Sequence, residues 1–325
     1  MSPRFHWSFW LLWIWCSHIT DAYDLQPRSS RERSRTEVTQ SFLQRSLLAG
    51  TLMIPCASSR ATPISTPSQP VSVISTPLKS VHSSITKDFL QKRVQSFDAT
   101  EYRPGLAQED VMYPSWFLGK WKAASKFVDF TYPLGAEAHQ GPSYNTTMKE
   151  LDSVLEYVCK FKPDPTRSSD ECIADRLYNV EQIALSSIGK NCILDDVQTP
   201  GANLANELHL VIRPPNIEAG TIYDITLTTS DRVSTTPRKN VFDVLERTKQ
   251  TILVQSEFQS KRLIKDIETI TSYELLDSDH IKAIQRTAAF LSPEDSRYRK
   301  AVSNFPEIEN TSIDVRKFVV DYVRV

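Results

Sequence analysis

Between Thr221 and Thr229 the residues alternate strictly in polarity. Tyr223, Ile225 and Leu227 fall on one side, and Asp224, Thr226 and Thr228 on the other. A period of two is the signature of a strand with one face in a core and the other in water. Glu207 to Arg213 repeats the pattern, with Leu208, Leu210 and Ile212 on a shared face. Further strand-like runs are Glu171 to Asn179, Asn191 to Val197, Gln250 to Gln259, Asp266 to Leu276, Ile281 to Leu291 and Val315 to Val325. Gly189 marks a turn between the first two of these, and Asp277-Ser278-Asp279 reads as the turn of a hairpin. Roughly eight or nine antiparallel strands in succession fit a closed barrel.

The stretch Tyr113 to Leu134 supplies a plug for such a barrel. Trp116, Phe117 and Trp121 offer large apolar area at one end. Gly119, in the step Gly119-Lys120-Trp121, lets the backbone bend or approach closely as the strand begins. An ordinary amphipathic strand accounts for the same residues. The step resembles the opening of lipocalin-like barrels, in which the Trp closes one end. The expected fold is therefore mainly β, a lipocalin-like antiparallel β-barrel with one or two short helices. One helix is expected from Thr147-Met148-Lys149-Glu150, which fits a capping box, with Met148, Leu151, Leu155 and Val158 recurring at helical spacing. Lys162 to Asp170 then reads as a loop. A second short helix is expected within Ile85 to Phe97, from Phe89, Leu90 and Val94.

The first hundred residues have a different character. Met1 to Ala22 reads as a signal peptide, with Arg4 before an apolar run from Trp7 to Cys16 and cleavage expected between Ala22 and Tyr23. Residues 23–61 are rich in Arg and Ser, and no Asp or Glu occurs from Val38 to Lys87, the composition of a transit peptide. Leu47 to Pro55 within it is either a second, lumen-directing signal or an amphipathic helix of the transit peptide. Residues 62–102, rich in Ser, Thr, Pro and Val, read as a largely disordered linker. The barrel domain is expected over 103–325. A signal peptide followed by a transit peptide resembles the bipartite presequence of algae whose plastid lies inside an ER-derived membrane. It implies a plastid location, in the stroma or the thylakoid lumen, with secretion or endomembrane residence as the alternative.

The 325 residues carry 38 basic and 39 acidic side chains, so no global field argues for nucleic acid. No run reaches the roughly 18 apolar residues of a membrane span. Cys159, Cys172 and Cys192 in the body match no metal spacing, so no metal site is expected and buried thiols are the reading. No nucleophile elbow, phosphate loop, zinc helix or dinucleotide fingerprint is present, and no catalytic residue or cofactor is assigned. His139 falls in a loop, His209 on the polar side of its strand and His280 at the hairpin. Arg176 stands beside Asp175 on an expected strand, so one of the two points inward and must be paired. It either holds a ligand's carboxylate or phosphate, or is structural, stacked on Trp121 or bound to backbone carbonyls. Arg286 and Arg324 pose the same question. Asn145 and Asn310 begin glycosylation sequons.

Several stretches together resemble an uncharacterised domain family of cyanobacteria and plastids. They are Tyr113 to Trp121 with Val128-Asp129 and Pro133-Leu134; Ala174 to Asn179 with Ile183 and Gly189; Ser256-Glu257-Phe258 and Glu268 to Tyr273; Ile281-Lys282-Ala283 and Phe290 to Pro293; and Asp321 to Arg324. The resemblance covers Tyr113 to Val325 and sets the charged stretch from Met148 to Asp170 apart as a helical insertion. It implies a plastid setting and a lipocalin-like barrel, and no activity. Barrel architecture makes binding of a small apolar ligand, a lipid or pigment, the leading expectation. Candidate ligand residues are Trp121, Arg176, Tyr178 and Arg286. An assembly factor contacting a thylakoid membrane or photosynthetic complex, and an enzyme acting on a lipid or carotenoid, are the alternatives; an enzymatic role ranks behind a non-enzymatic one.

Overall fold

A computed structural model describes residues 87–95, 109–139, 144–165, 170–198, 206–213, 220–256 and 260–325. The signal, transit and most of the linker assignments lie outside the described residues. The strands are β1 (Gly119–Thr131), β2 (Val154–Pro163), β3 (Cys172–Ala174), β4 (Ile193–Gln198) and β5 (Glu207–Ile212), followed by β6 (Ile222–Arg238), β7 (Val241–Gln255), β8 (Ser260–Asp277), β9 (His280–Leu291) and β10 (Asp314–Arg324). The helices are α1 (Lys87–Gln95), α2 (Tyr144–Glu150), α3 (Arg176–Ile188) and α4 (Tyr298–Asn304). The strands form one ten-stranded antiparallel sheet in the order β3-β2-β1-β10-β9-β8-β7-β6-β5-β4. Each strand pairs with its neighbour in sequence, apart from the return of β10 to β1 and the break between β3 and β4. The sheet curls into a half-barrel, the mainly β, antiparallel architecture that the alternating runs imply.

The opening lies between β3 and β4, and α3 connects those two strands. Ala184 and Ile188 of α3 are buried against Leu210, Ile212, Tyr223 and Ile225, while Ile183 touches both this cluster and the aromatic one at the other side of the sheet. A helix has no ladder to offer a strand edge, so the edge groups need side-chain partners. Asn179 meets that need on β2. Its Oδ1 accepts the Lys160 N–H at 2.7 Å, and its Nδ2 donates to the Lys160 carbonyl at 3.2 Å. The strand expected over Glu171 to Asn179 is thus three residues of β3 followed by a helix, and Arg176 is its first residue. Leu177, Val180, Ala184 and Ile188 carry the helical spacing, which a short apolar run does not distinguish from a strand.

Past Glu150 the chain is strand where helical spacing predicts a helix. The helix expected from Met148 to Val158 stops at Glu150, and Leu155 and Val158 belong to β2. Leu155, Tyr157, Cys159 and Phe161 face inward at a period of two. Leu151, Leu155 and Val158 mimic a helical face, but the branched and aromatic residues between them favour the pleat. The supposed insertion is an integral strand beside β1.

Trp121 seals one end. It is fully buried, and its Nε1 donates to the Phe117 carbonyl at 2.7 Å. The turn Ser115–Phe117 lies over it, with Phe117 among Tyr113, Phe161 and Tyr273 at ring distances of 4.8–5.0 Å. Arg324 of β10 stacks on the Trp121 ring at 4.2 Å and donates to the carbonyls of Leu118 and Trp116. Gly119 has φ +118°, and a Cβ there would stand 3.2 Å from the Arg324 guanidinium. The glycine of the G-x-W step therefore serves both the backbone turn into β1 and the approach of Arg324.

The convex face of β7, β8 and β9 is also covered. Leu90 and Val94 of α1 pack on Leu245 and Ile270. Beneath them Glu268, with no exposed surface, accepts from Arg93 of α1 at 2.9 and 3.1 Å, from Arg247 at 3.1 and 3.2 Å and from Arg286 at 3.1 Å.

Candidate functional site

The concave face of the half-barrel holds a cavity of about 280 Å³. Strand register orders its walls. Nearest Trp121 is an aromatic floor of Tyr113, Tyr157, Phe161, Tyr273 and Tyr322. Above it, on β8 and β9, Thr271 stands opposite Gln285 and Thr269 opposite Thr287. These four inward side chains make a compact polar patch. Leu208, Leu227, Thr248 and Ile267 continue the wall on β5 to β8, and Arg176, Asn179, Val180 and Ile183 of α3 face them.

Among the floor phenols Tyr157 and Tyr322 act on one another, and Tyr273 is acted on by Thr271 and Tyr322. Burial pushes the phenols of Tyr113, Tyr157, Tyr273 and Tyr322 up, so all four stay protonated. Cys159 also reaches the lining, and burial pushes its thiol up to about 12, far from a reactive thiolate. The patch is different. Gln285 is 6% exposed and Thr287 3%, yet among the described residues no side-chain hydrogen bond is found for either. Their polar atoms are not sealed off, so both stay open to the cavity.

One ion cluster crosses the cavity from helix to sheet. Arg176 Nη2 lies 2.6 Å from Asp110 and 2.7 Å from Glu246 on β7, and its Nε donates to Asp110 at 3.0 Å. Arg232 Nε donates to the same Glu246 oxygen at 3.1 Å, and Arg232 also bonds the Asn206 side chain. Burial works to raise the Glu246 carboxyl, but Arg176 and Arg232 outweigh it and hold Glu246 below its usual range. Burial likewise works against the Arg176 charge, and Glu246 and Asp110 more than restore it. Two cations and two carboxylates cancel here. Arg176 is thus paired with carboxylates from the 109–139 segment and β7, and the guanidinium stacked on Trp121 belongs to Arg324.

Of the candidates read from the sequence, Arg176 reaches the cavity. Trp121 lies beneath the floor. Tyr178 is on the outer side of α3, where Lys120 and Lys160 stand 5.8 and 5.9 Å from its ring. Arg286 points to the convex face, bonded to Glu268. Asn145 and Asn310 are exposed, and in the first sequon Thr147 is buried with its hydroxyl 2.7 Å from Tyr132 Oη. His209 pairs with Asp224 at 2.7 Å and His280 with Asp277 at 3.0 Å, both away from the cavity. His139 is buried and stacked on Tyr132 at a ring distance of 3.9 Å. Cys159, Cys172 and Cys192 are free and buried. Among the described residues no group of three or more His, Cys, Asp or Glu side chains is placed to hold a metal ion, and no helix is long and apolar enough to cross a membrane.

The ion cluster, the helix α3 and all of the half-barrel but β10 fall within a region that matches a known family over residues 105–314. The chain belongs to the DUF6816 family. Its description is a domain of unknown function. No curated protein matches the chain. The DUF6816 match stops where β10 begins, yet β10 joins β1 to β9 and carries Tyr322 into the cavity. The stretches Ala174 to Asn179 and Glu268 to Tyr273, read above as family motifs, supply Arg176, Asn179, Thr269, Thr271 and Tyr273 to the cavity wall. What sequence reading missed was Gln285, Thr287, Glu246 and Asp110. Thr269-Ile270-Thr271 alternates visibly, but nothing local reveals which side of it is concave.

Proposed function

We propose that this DUF6816 domain binds a small, largely apolar molecule, a lipid or pigment or a fragment of one, in the half-barrel cavity. The observation that carries this is the cavity itself, about 280 Å³ with aromatic, aliphatic and a few convergent polar walls. Ligand pockets are usually ~300–1,000 Å³ and are lined in that way, so this one stands at the small end. An assembly factor calls for a barrel packed solid with side chains, which this one is not. An enzyme calls for a free base in the pocket, whereas the Glu246 carboxylate is taken up by two arginines, which makes it a weak one. The setting we propose is the plastid, on the strength of the Arg- and Ser-rich, acid-poor segment that follows the signal-like N-terminus. Native mass spectrometry of the protein purified from its own cells tests the binding reading: a co-purifying small molecule, lost on denaturation, is expected. If nothing co-purifies and no small apolar probe binds, the reading falls. A fluorescent fusion of the full chain found only in the medium or vacuole would remove the plastid.

A further inference from the structure

The cavity's polar groups say more about the ligand than its volume does. Arg176, the guanidinium that lines it, is held by Asp110 and Glu246 at 2.6 and 2.7 Å. With Arg232 on the same Glu246, the cluster holds two positive and two negative groups. A ligand carboxylate would have to displace one of these carboxylates or sit beside it, at the cost of like-charge repulsion. Apart from the ion-paired Arg176, the polar side chains that the patch offers a ligand are neutral. Gln285 presents a donor and an acceptor, and Thr269 and Thr287 present hydroxyls. The register places Gln285 opposite Thr271 and Thr287 opposite Thr269, so the groups converge on one patch of the concave face. Gln285 and Thr287 are more than nine-tenths buried and, among the described residues, have no side-chain hydrogen bond.

We infer that the cavity selects an uncharged ring compound bearing a hydroxyl or carbonyl, with its polar group on Gln285 and the flanking threonines and its ring over Tyr157, Tyr273 and Phe161. This rests on the binding reading above and sharpens it. The Gln285 amide donates to the ligand oxygen or accepts its O–H, and the threonine hydroxyls rotate to suit. Below the patch the tyrosine rings offer faces and edges for an aromatic or alicyclic body. At about 280 Å³ the cavity stands at the small end of ligand pockets and suits a compact body of one or two fused rings. A diacyl lipid or a long polyene would not be enclosed whole.

The test is calorimetric titration of the full chain at neutral pH with three probes that share one ring system: naphthalene, 2-naphthol and 2-naphthoate. Naphthalene reports the cavity, and the other two report its polar group. The expected result is 2-naphthol binding about tenfold more tightly than naphthalene, the worth of one well-made hydrogen bond, and 2-naphthoate no more tightly than naphthalene. Gln285→Leu should bring 2-naphthol to within about twofold of naphthalene and leave naphthalene unchanged. Thr269→Val, nearly isosteric, should act in the same direction, and it decides the matter if the first variant no longer binds naphthalene. Tightest binding by 2-naphthoate would show that Arg176 is available and overturn the inference while keeping the cavity. Equal binding of naphthalene and 2-naphthol would overturn it too. If none of the three binds, the cavity reading itself fails and takes this one with it.

Discussion

Glu268→Gln should be among the most damaging single changes in the domain. The carboxylate has no exposed surface and accepts from Arg93, Arg247 and Arg286 at 2.9–3.2 Å. Burial works to raise its pKa, but the three arginines outweigh burial and keep it below the ordinary value. Glutamine preserves the shape and removes the charge. It also replaces one accepting oxygen with a donor that faces guanidinium hydrogens. Removing one partner of a buried ion pair costs about 3–5 kcal/mol, because the other charge stays buried. For a domain of this size that is a fall in Tm of roughly 6–20 °C. The pH profile gives an independent reading. The group's folded pKa is depressed, so its stabilisation is present above its unfolded value near ~4.3 and lost as pH falls through the folded value. Wild type should therefore lose stability more steeply than Glu268→Gln below about pH 4. The assay is urea denaturation followed by circular dichroism, at neutral pH and at steps below pH 5. A double-mutant cycle with Arg93→Met separates the tie to α1 from the rest of the network. A neutral-pH midpoint for Glu268→Gln within error of wild type would refute the reasoning, since three convergent arginines would then have lost their carboxylate at no cost.

Other predictions follow from the same structure. Trp121→Ala should cost about 3–5 kcal/mol in thermal or urea denaturation, since the ring is fully buried and its Nε1–H bonds the Phe117 carbonyl; a shift within error would mean that the ring does not seal the end. Burial holds His139 down at about 4, with Asp314 acting against it and Lys265 and Arg316 acting with it, while Tyr132 stacks on the ring. The unfolded chain takes up this proton near ~6.5 and the folded one only near 4, so stability should fall by up to about 3 kcal/mol as pH drops between these values. His139→Phe should flatten that part of the profile, and an unchanged slope would sink the assignment. Cys159 and Cys172, pushed up to about 12, and Cys192, to about 11, should react with iodoacetamide at pH 8 only after unfolding, as read by mass spectrometry; rapid labelling of the native protein would place them at the surface.

The outer parts of the sheet were legible because they are wet on one side. β5 and the first half of β6 bury Leu208, Leu210, Ile212, Tyr223 and Ile225 while His209, Asp224 and Thr226 stay partly exposed, and polarity alternates accordingly. The Trp121 seal was legible because Gly, Trp and their aromatic neighbours crowd into a few residues. The closing helix was not, because α3 starts directly after the three residues of β3 and its first apolar positions fit either period. Nor was the ion cluster. Arg176, Asp110 and Glu246 are distant in sequence and meet because α3 spans the sheet's opening.

β8 shows why the cavity itself could not be read. From Leu263 to Glu268 every residue is buried, and Ile270, Thr271 and Tyr273 continue the burial. Two coverings cause this: α1 over the convex side, and the curl of the sheet with α3 over the concave side. A strand buried on both faces loses the polarity alternation that reveals its orientation. What remains is an alternation of chemistry rather than of polarity. Glu268 faces the arginines under α1, Thr269 faces the cavity, Ile270 faces Leu90 and Val94, and Thr271 faces the cavity again. Shifting the register by one residue would put Glu268 among the tyrosines and Thr269 among the arginines, which is unfavourable on both sides at once. The buried charge on one face therefore fixes which hydroxyls the other face presents, and the ligand chemistry of the concave side depends on the ion network of the convex side. Glu268→Gln should accordingly weaken 2-naphthol binding only to the extent that it loosens the β8–β9 pairing, and measuring both in one variant tests that dependence.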